Sequence, residues 1–286
     1  MLNEYFFETN SFNLDATLDS GQAFRWVAHQ DSWSGIIHGR WVRLSSKTCG
    51  ILAETTSPVT SWNWLADYLQ LELDIESVLK SFPRDQHMEK AIHTCHGLRL
   101  LRQDPWETLA SFILSSTKQI VQIRQIISIL SERHGEPLKV PEGFAPAYDF
   151  PKPGTLAILS EKELRECKMG FRAPYLLEAA RCVDSGALDL ESIRALSLSE
   201  ARLKLTSLHG VGNKIADCVL LFAYGFPEAF PVDVWIARAL RELYFPKRKP
   251  TTKRLQNFIS SYFGPNSGYA QQYLFHYMRN RETNLK

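Results

Sequence analysis

The sequence predicts an α+β protein in which an N-terminal twisted antiparallel β-sheet is followed by a larger helical domain built around a helix-hairpin-helix. Three observations carry this expectation. Between Phe6 and about Thr56 the chain is written in short strand-like runs punctuated by turn signals. From Trp62 onward apolar residues recur at helical spacing. The composition, 44% hydrophobic and 22% charged over 286 residues, is globular and leaves room for two domains. The division is expected near residue 100, giving a sheet domain with flanking helices over 1–100 and a helical domain over 101–286.

Taken in order, the runs FFETNSFNL, AFRWVAHQ, WSGIIHG, WVRLSS and GILAET read as strands, separated by Asp-Ser-Gly, His-Gly and Cys-Gly. SWNWLADYLQL and DIESVLKSF read as helices, with Ser61 and Asp74 as N-caps. WETLASFILSS follows Asp104-Pro105. Next, Ile120, Ile123, Ile126, Ile127 and Leu130 form one stripe of a helix that Gly135 ends. Proline-rich residues 136–158 read as a long surface connection. Helices resume with a Ser160–Glu163 capping box, APYLLEAARCVDSG, LSEARLKLTSL, DVWIARALREL and a final pair around LQNFISSYFG and GYAQQYLFHYMRN.

A net charge of only +2 means that a nucleic-acid partner would be held by a local basic patch. The run Pro246–Pro250, with Lys247, Arg248 and Lys249, is short enough to be an ordinary solvated loop and receives no site role. Five widely spaced cysteines without a C-x-x-C pair suggest neither a disulfide framework nor a metal site, and no cofactor is expected. With no leader-like N-terminus and no long apolar run, an intracellular monomer is expected, in the cytoplasm or nucleoid of a prokaryote or the nucleus of a eukaryote.

The richest stretch is SLHGVGNKIADC, Ser207 to Cys218. A helix ends, Gly210-Val211-Gly212 turns with glycines able to take positive φ, and a helix starts at Asn213, which is a helix-hairpin-helix. Its backbone N–H groups could approach a DNA phosphate, its carbonyls could hold a monovalent cation, and an ordinary turn would look the same. Lys214 distinguishes the cases. The positive end of a helix dipole suits a neutral, nucleophilic amine better than a structural cation. Cys218 lies one turn on, facing the same way, although alone it would be a small core residue. Asp233, in FPVDVW, lies 19 residues beyond Lys214, about one helix and a return loop, and is either a simple N-cap or a partner of the lysine. An amine with a carboxylate beside it suits N-glycosidic bond cleavage through an oxocarbenium-like transition state.

LHGVGNKIADC followed by FPVDV resembles the helix-hairpin-helix, Gly/Pro-Asp superfamily of DNA glycosylases. SGQAFRW, YLQLELDI, GLRLLRQDPWETLASFILSS, MGFRAPY and GYAQQYLF resemble, in order, successive segments of the 8-oxoguanine DNA glycosylases, so the likeness spans nearly the whole chain. The resemblance implies that Lys214 attacks C1′ and forms a Schiff base that permits β-elimination, and that Asp233 assists base departure. It implies that Cys218 and Phe275 sandwich a flipped base and that the Gly21 carbonyl accepts the N7–H that separates 8-oxoguanine from guanine. Gln271, four residues before Phe275 on one helix face, suits the base's Watson–Crick edge. The implied partner is duplex DNA carrying 8-oxoguanine.

The sequence departs from the better-known eukaryotic pattern around the opposite base. Thr117, Lys118 and Gln119 stand where three asparagines are usual, and Gln122 replaces one cytosine-reading arginine. Arg172 matches the other, and Phe171 replaces a wedging tyrosine. Loss of a guanidinium from the opposite base typically reduces discrimination by about 1–3 kcal/mol, so a relaxed preference for cytosine is expected. Trp235 replaces a histidine near a phosphate. His209 replaces the hairpin proline and, with Gly210 and Gly212, is the candidate phosphate contact. Two alternatives stay open: a superfamily member acting on another damaged purine, and a non-catalytic DNA-binding module. The absence of cysteines after Cys218 and the presence of Lys214 argue against the first, while the second needs neither Lys214 nor Asp233.

Overall fold

The computed structural model describes residues 2–247 and 250–283, so Arg248 and Lys249 of the basic run lie outside it. Strands β1 (Asn3–Glu8), β2 (Val27–Ala28), β3 (Trp33–Ile37), β4 (Arg40–Lys47) and β5 (Gly50–Thr55) form an antiparallel sheet in the order β1-β5-β4-β3-β2. Register is set by buried cross-strand pairs such as Leu44 opposite Ala53 and Val42 opposite Thr55. Two expectations change here. Of AFRWVAHQ only Val27–Ala28 pairs, because Phe24 enters the helical core while Trp26 enters the sheet core, its indole donating to the Tyr68 hydroxyl at 3.0 Å. The strand-like run FFETNSFNL pairs only as far as Glu8, and Leu14, its last residue, opens helix α1 (Leu14–Leu18), started by Asn13, whose side chain accepts from Ala16 N at 2.9 Å.

The sheet core contains Leu18, Val42, Leu44, Ile51 and Ala53 and is closed by Leu65 and Leu69 of α2 (Asn63–Leu69). The N-cap of α2 is Trp62, not Ser61, whose hydroxyl nonetheless accepts from Asn63 N at 3.2 Å. Asp74 caps α3 (Ile75–Lys80) as expected, and α4 (Gln86–Thr94) follows. Residues of both helices, including Ile75, Leu79, Met88 and Ala91, pack into the helical core.

Asp104 caps α5 (Pro105–Leu114), and α6 (Ile120–His134) buries Ile123, Ile126, Ile127 and Leu130. The 136–158 connection contains structure that the sequence did not announce: a two-stranded hairpin, β6 (Pro137–Leu138) with β7 (Ala147–Tyr148), and α7 (Pro153–Ala157). The Ser160–Glu163 capping box opens α8 (Glu161–Leu164), followed by α9 (Ala173–Asp184) and α10 (Leu198–Thr206). Then come α11 (Asn213–Val219), extended by a π-turn at Leu220–Tyr224, α12 (Val234–Ala239), α13 (Thr252–Tyr262) and α14 (Ser267–Thr283). Among the described residues no helix is long and apolar enough to cross a membrane.

Candidate active site

Helix α10 ends at Thr206, and the chain reverses through His209–Gly212 into α11. Gly210 takes the positive φ, +83°, and a Cβ there would lie 2.5 Å from Cγ of Tyr175. Gly212 does not: at φ −92° it is the N-cap of α11, with open space where a side chain would be. Of the two glycines able to take a positive φ, only Gly210 does so. His209 is exposed, 3.7 Å from a Glu178 carboxylate oxygen and edge-on to the Tyr175 ring at 4.8 Å.

Lys214, in the first turn of α11, reaches back toward the C-terminal end of α5. Its Nζ donates to Ser115 Oγ at 3.1 Å and lies 5.0 Å from the centroid of the Phe112 ring. Asp233 caps α12, Oδ1 accepting from Ile236 N at 2.8 Å. Burial raises the Asp233 pKa above the usual carboxylate value, opposed by its backbone hydrogen bonds and by the charge of Lys214. The Cys218 thiol, 3% exposed, is pushed up to about 12 by burial, so it faces its surroundings as a neutral thiol.

Lys214, Cys218 and Asp233 line one cavity of about 690 Å³, as do Gly21, Gln271 and Phe275 and, nearer its mouth, Thr117, Lys118 and Gln119. That volume falls in the roughly 300–1,000 Å³ range of small-molecule sites. Gly21 has φ +78°, and a Cβ there would stand 3.3 Å from the Phe275 ring. Gln271 is 3% exposed, and its Oε1 is buried with no hydrogen-bond partner among the described residues. An amide oxygen left without a partner fits a site completed by a ligand.

Other functional candidates emerge only from the structure. Phe24, Phe112 and Phe222 wall the cavity, with Phe112 and Phe222 stacked at 5.6 Å. Gln272 donates to Ser20 O at 2.9 Å, and Arg279 bonds the carbonyl and carboxylate of Asp19, so α14 clamps the turn that carries Gly21. Phe24, Phe112, Ser115 and Gln272 lie within segments that carry the resemblance, whereas Phe222 and Arg279 had no sequence signal. Val121 and Val234 are 74% and 84% exposed at the cavity rim, next to half-buried Trp235.

The remaining predicted residues lie off the cavity. Gln122 accepts from Gln119 N at 3.2 Å and thereby caps α6. Arg172 is 2% exposed, and its guanidinium donates to the Ser116 carbonyl and, at 2.6 Å, to Thr117 Oγ1. The exposed Phe171 ring lies 4.2 Å from that guanidinium. Among the described residues no group of three or more His, Cys, Asp or Glu is placed to hold a metal ion.

A lysine at the head of the second hairpin helix, lining one cavity with a carboxylate that caps the next helix, defines a helix-hairpin-helix protein built for chemistry in a small-molecule-sized cavity. Residues 4–109 match the N-terminal domain of 8-oxoguanine DNA glycosylase, and residues 110–265 match the HhH-GPD superfamily of base excision DNA repair proteins. The chain belongs to the HhH-GPD superfamily, with that glycosylase N-terminal domain ahead of it. It is 30% identical over 279 residues to the N-glycosylase/DNA lyase OGG1 of Arabidopsis thaliana, covering 92% of this chain and 76% of that protein. The solved structure of MBOgg1 with a low-affinity DNA ligand superposes with a TM-score of 0.90 at 36% identity, covering 98% of this chain and 99% of that one. The Clostridium acetobutylicum 8-oxoguanine glycosylase/lyase, solved on duplex DNA with cytosine opposite 8-oxoguanine, gives 0.90 at 33% identity, covering 99% and 98%.

Proposed function

We propose that this chain is a bifunctional base-excision repair enzyme that removes 8-oxoguanine from duplex DNA and then cleaves the strand. The carrying observation is that Lys214 and Asp233 share a cavity with Gly21, Cys218, Gln271 and Phe275. The flipped base lies between the Cys218 thiol and the Phe275 ring, and the Gln271 amide meets its Watson–Crick edge. The Gly21 carbonyl accepts the N7–H, a difference of about one hydrogen bond from guanine. The Lys214 lone pair forms the N–C1′ bond as the glycosidic bond breaks, its electron pair leaving with the base, which takes a proton. The Asp233 carboxylate stabilises the positive charge that develops at the sugar. Ring opening gives the Schiff base, loss of a C2′ proton expels the 3′ phosphate, and hydrolysis frees the lysine. His209 and the hairpin backbone at Gly210 and Gly212 face the DNA phosphates. The protein acts as an intracellular monomer, and the base-handling turn at Gly21 lies in residues 1–100 while the chemistry lies in 101–286.

Reading of the opposite base is relaxed. Phe171 and the Thr117–Gln119 segment fill the gap left by the flipped nucleotide, but Gln122 carries no positive charge and is engaged as a helix cap. Borohydride trapping on duplexes bearing 8-oxoguanine opposite cytosine or adenine tests both parts. A covalent adduct with the wild-type protein that Lys214→Gln abolishes supports the Schiff base; release of no base and no adduct would refute the function. Similar rates opposite cytosine and adenine support relaxed reading, and a cytosine preference of roughly a hundredfold, about 2.7 kcal/mol, would refute it.

A further inference from the structure

The Lys214 amine donates to a residue at the end of another helix. Ser115 is the C-cap of α5, and its backbone N–H donates to Phe112 O at 3.2 Å. Its hydroxyl donates to the same carbonyl at 2.7 Å, which leaves the oxygen lone pairs to accept from Lys214 Nζ at 3.1 Å. Both donor groups of Ser115 are thus committed to one carbonyl, and its hydroxyl presents itself to the lysine as an acceptor in a fixed place. The four methylenes of a lysine otherwise leave its amine free to sample several rotamers. The Phe112 face, 5.0 Å from Nζ, bounds the amine on another side.

We infer that Ser115 is a positioning residue for the nucleophile: by accepting one N–H of the Lys214 amine, it holds Nζ in place and restricts the directions from which the lone pair can attack C1′. Ser115 is not a base here, since it is already an O–H donor to Phe112 and its role is to receive a hydrogen bond. The inference rests on the lysine mechanism proposed above and extends it to a residue outside the hairpin. Because the contact lies between the end of α5 and the start of α11, it also makes the nucleophile's aim depend on the packing of those two helices.

The test compares single-turnover base release and borohydride trapping for wild type, Ser115→Ala and Ser115→Thr on one 8-oxoguanine duplex. Duplex affinity and unfolding temperature are measured alongside. Misaim of a reacting group by about 1 Å can cost on the order of a hundredfold in rate. Ser115→Ala is expected to lose roughly 10- to 100-fold in both rates with unchanged duplex affinity and unfolding temperature, and Ser115→Thr to stay within about threefold of wild type. A wild-type rate in Ser115→Ala overturns the inference. So does equal slowing in the alanine and threonine variants, which would make side-chain volume the cause. Absence of any adduct with the wild-type protein overturns the function itself, and this inference with it.

Discussion

Asp233 carries two tasks on one carboxyl group, and they can be separated. Its Oδ1 holds the Ile236 N–H as a helix cap, and it faces the cavity that contains Lys214. Asparagine caps helices about as well as aspartate. Asp233→Asn should therefore keep its unfolding temperature, or raise it, since burial of the ionised carboxylate disfavours the charged form. Excision should fall by about a hundredfold or more. The pH dependence follows from the same burial. The ionised form is the active one and its pKa is raised, so the rate should decline on acidification at a higher pH than an exposed aspartate would require. A single-turnover rate profile should show this acid limb in wild type and lose it in Asp233→Asn; a limb at or below the ordinary aspartate range would show that burial does not control the group.

The hairpin's two glycines make different demands. Gly210 needs its left-handed backbone and its missing side chain, because Tyr175 occupies the space a Cβ would take. Gly212 has an ordinary extended backbone and open space. Gly210→Ala should destabilise the protein by about 1–3 kcal/mol and disturb the hairpin. Gly212→Ala should leave stability within about 0.5 kcal/mol, but weaken duplex binding if phosphate approaches there. Urea midpoints and duplex affinities of the two variants check this, and equal destabilisation would contradict the assigned geometry. The Arg172 guanidinium belongs to the same scale. Its bonds to Ser116 and Thr117 tie the start of α9 to the loop between α5 and α6, where Thr117 has φ +56°.

Across the whole molecule, the sheet and the helical body meet around a partly buried carboxyl. Glu107 of α5 lies 3.5 Å from the Arg25 guanidinium, which also donates to the Tyr148 carbonyl. Burial pushes Glu107 up to about 7, against the pull of Arg25 and with Asp104 and Asp149 adding to the rise. The folded protein therefore binds this proton more tightly than the unfolded chain. The stability gained from it is fully present below the unfolded value of 4.5 and is lost as pH rises through about 7. Glu107→Gln should flatten the fall in urea midpoint between about pH 4.5 and 7 and be the more stable protein at the upper end. An unchanged slope would exclude Glu107 as its source. A second junction is fully satisfied: the two N–H groups of the buried Gln22 amide are shared among Thr17 O, Ser20 Oγ and Arg99 O, and its oxygen accepts from Leu101 N, holding the neighbouring Gly21 turn against the rest of the fold.

The sequence by itself determined the β-then-α order, most helix boundaries and the hairpin lysine, because caps, periodicity and glycine turns act over a few residues. Asp74, Ser160 and Asp233 all cap the helices expected of them. It also brought Gly21, Lys214, Cys218, Asp233, Gln271 and Phe275 together as a set through resemblance, since their separation along the chain conceals their proximity. Local signals failed where tertiary packing prevailed: Phe24 and Trp26 belong to two different cores, and the proline-rich connection forms a hairpin and a short helix against the body. Tertiary structure alone decided that Ser115 meets Lys214, that Arg172 turns inward, and that three phenylalanines wall the cavity. These relations depend on where the ends of separate helices come to rest, and no periodicity within a single helix records that.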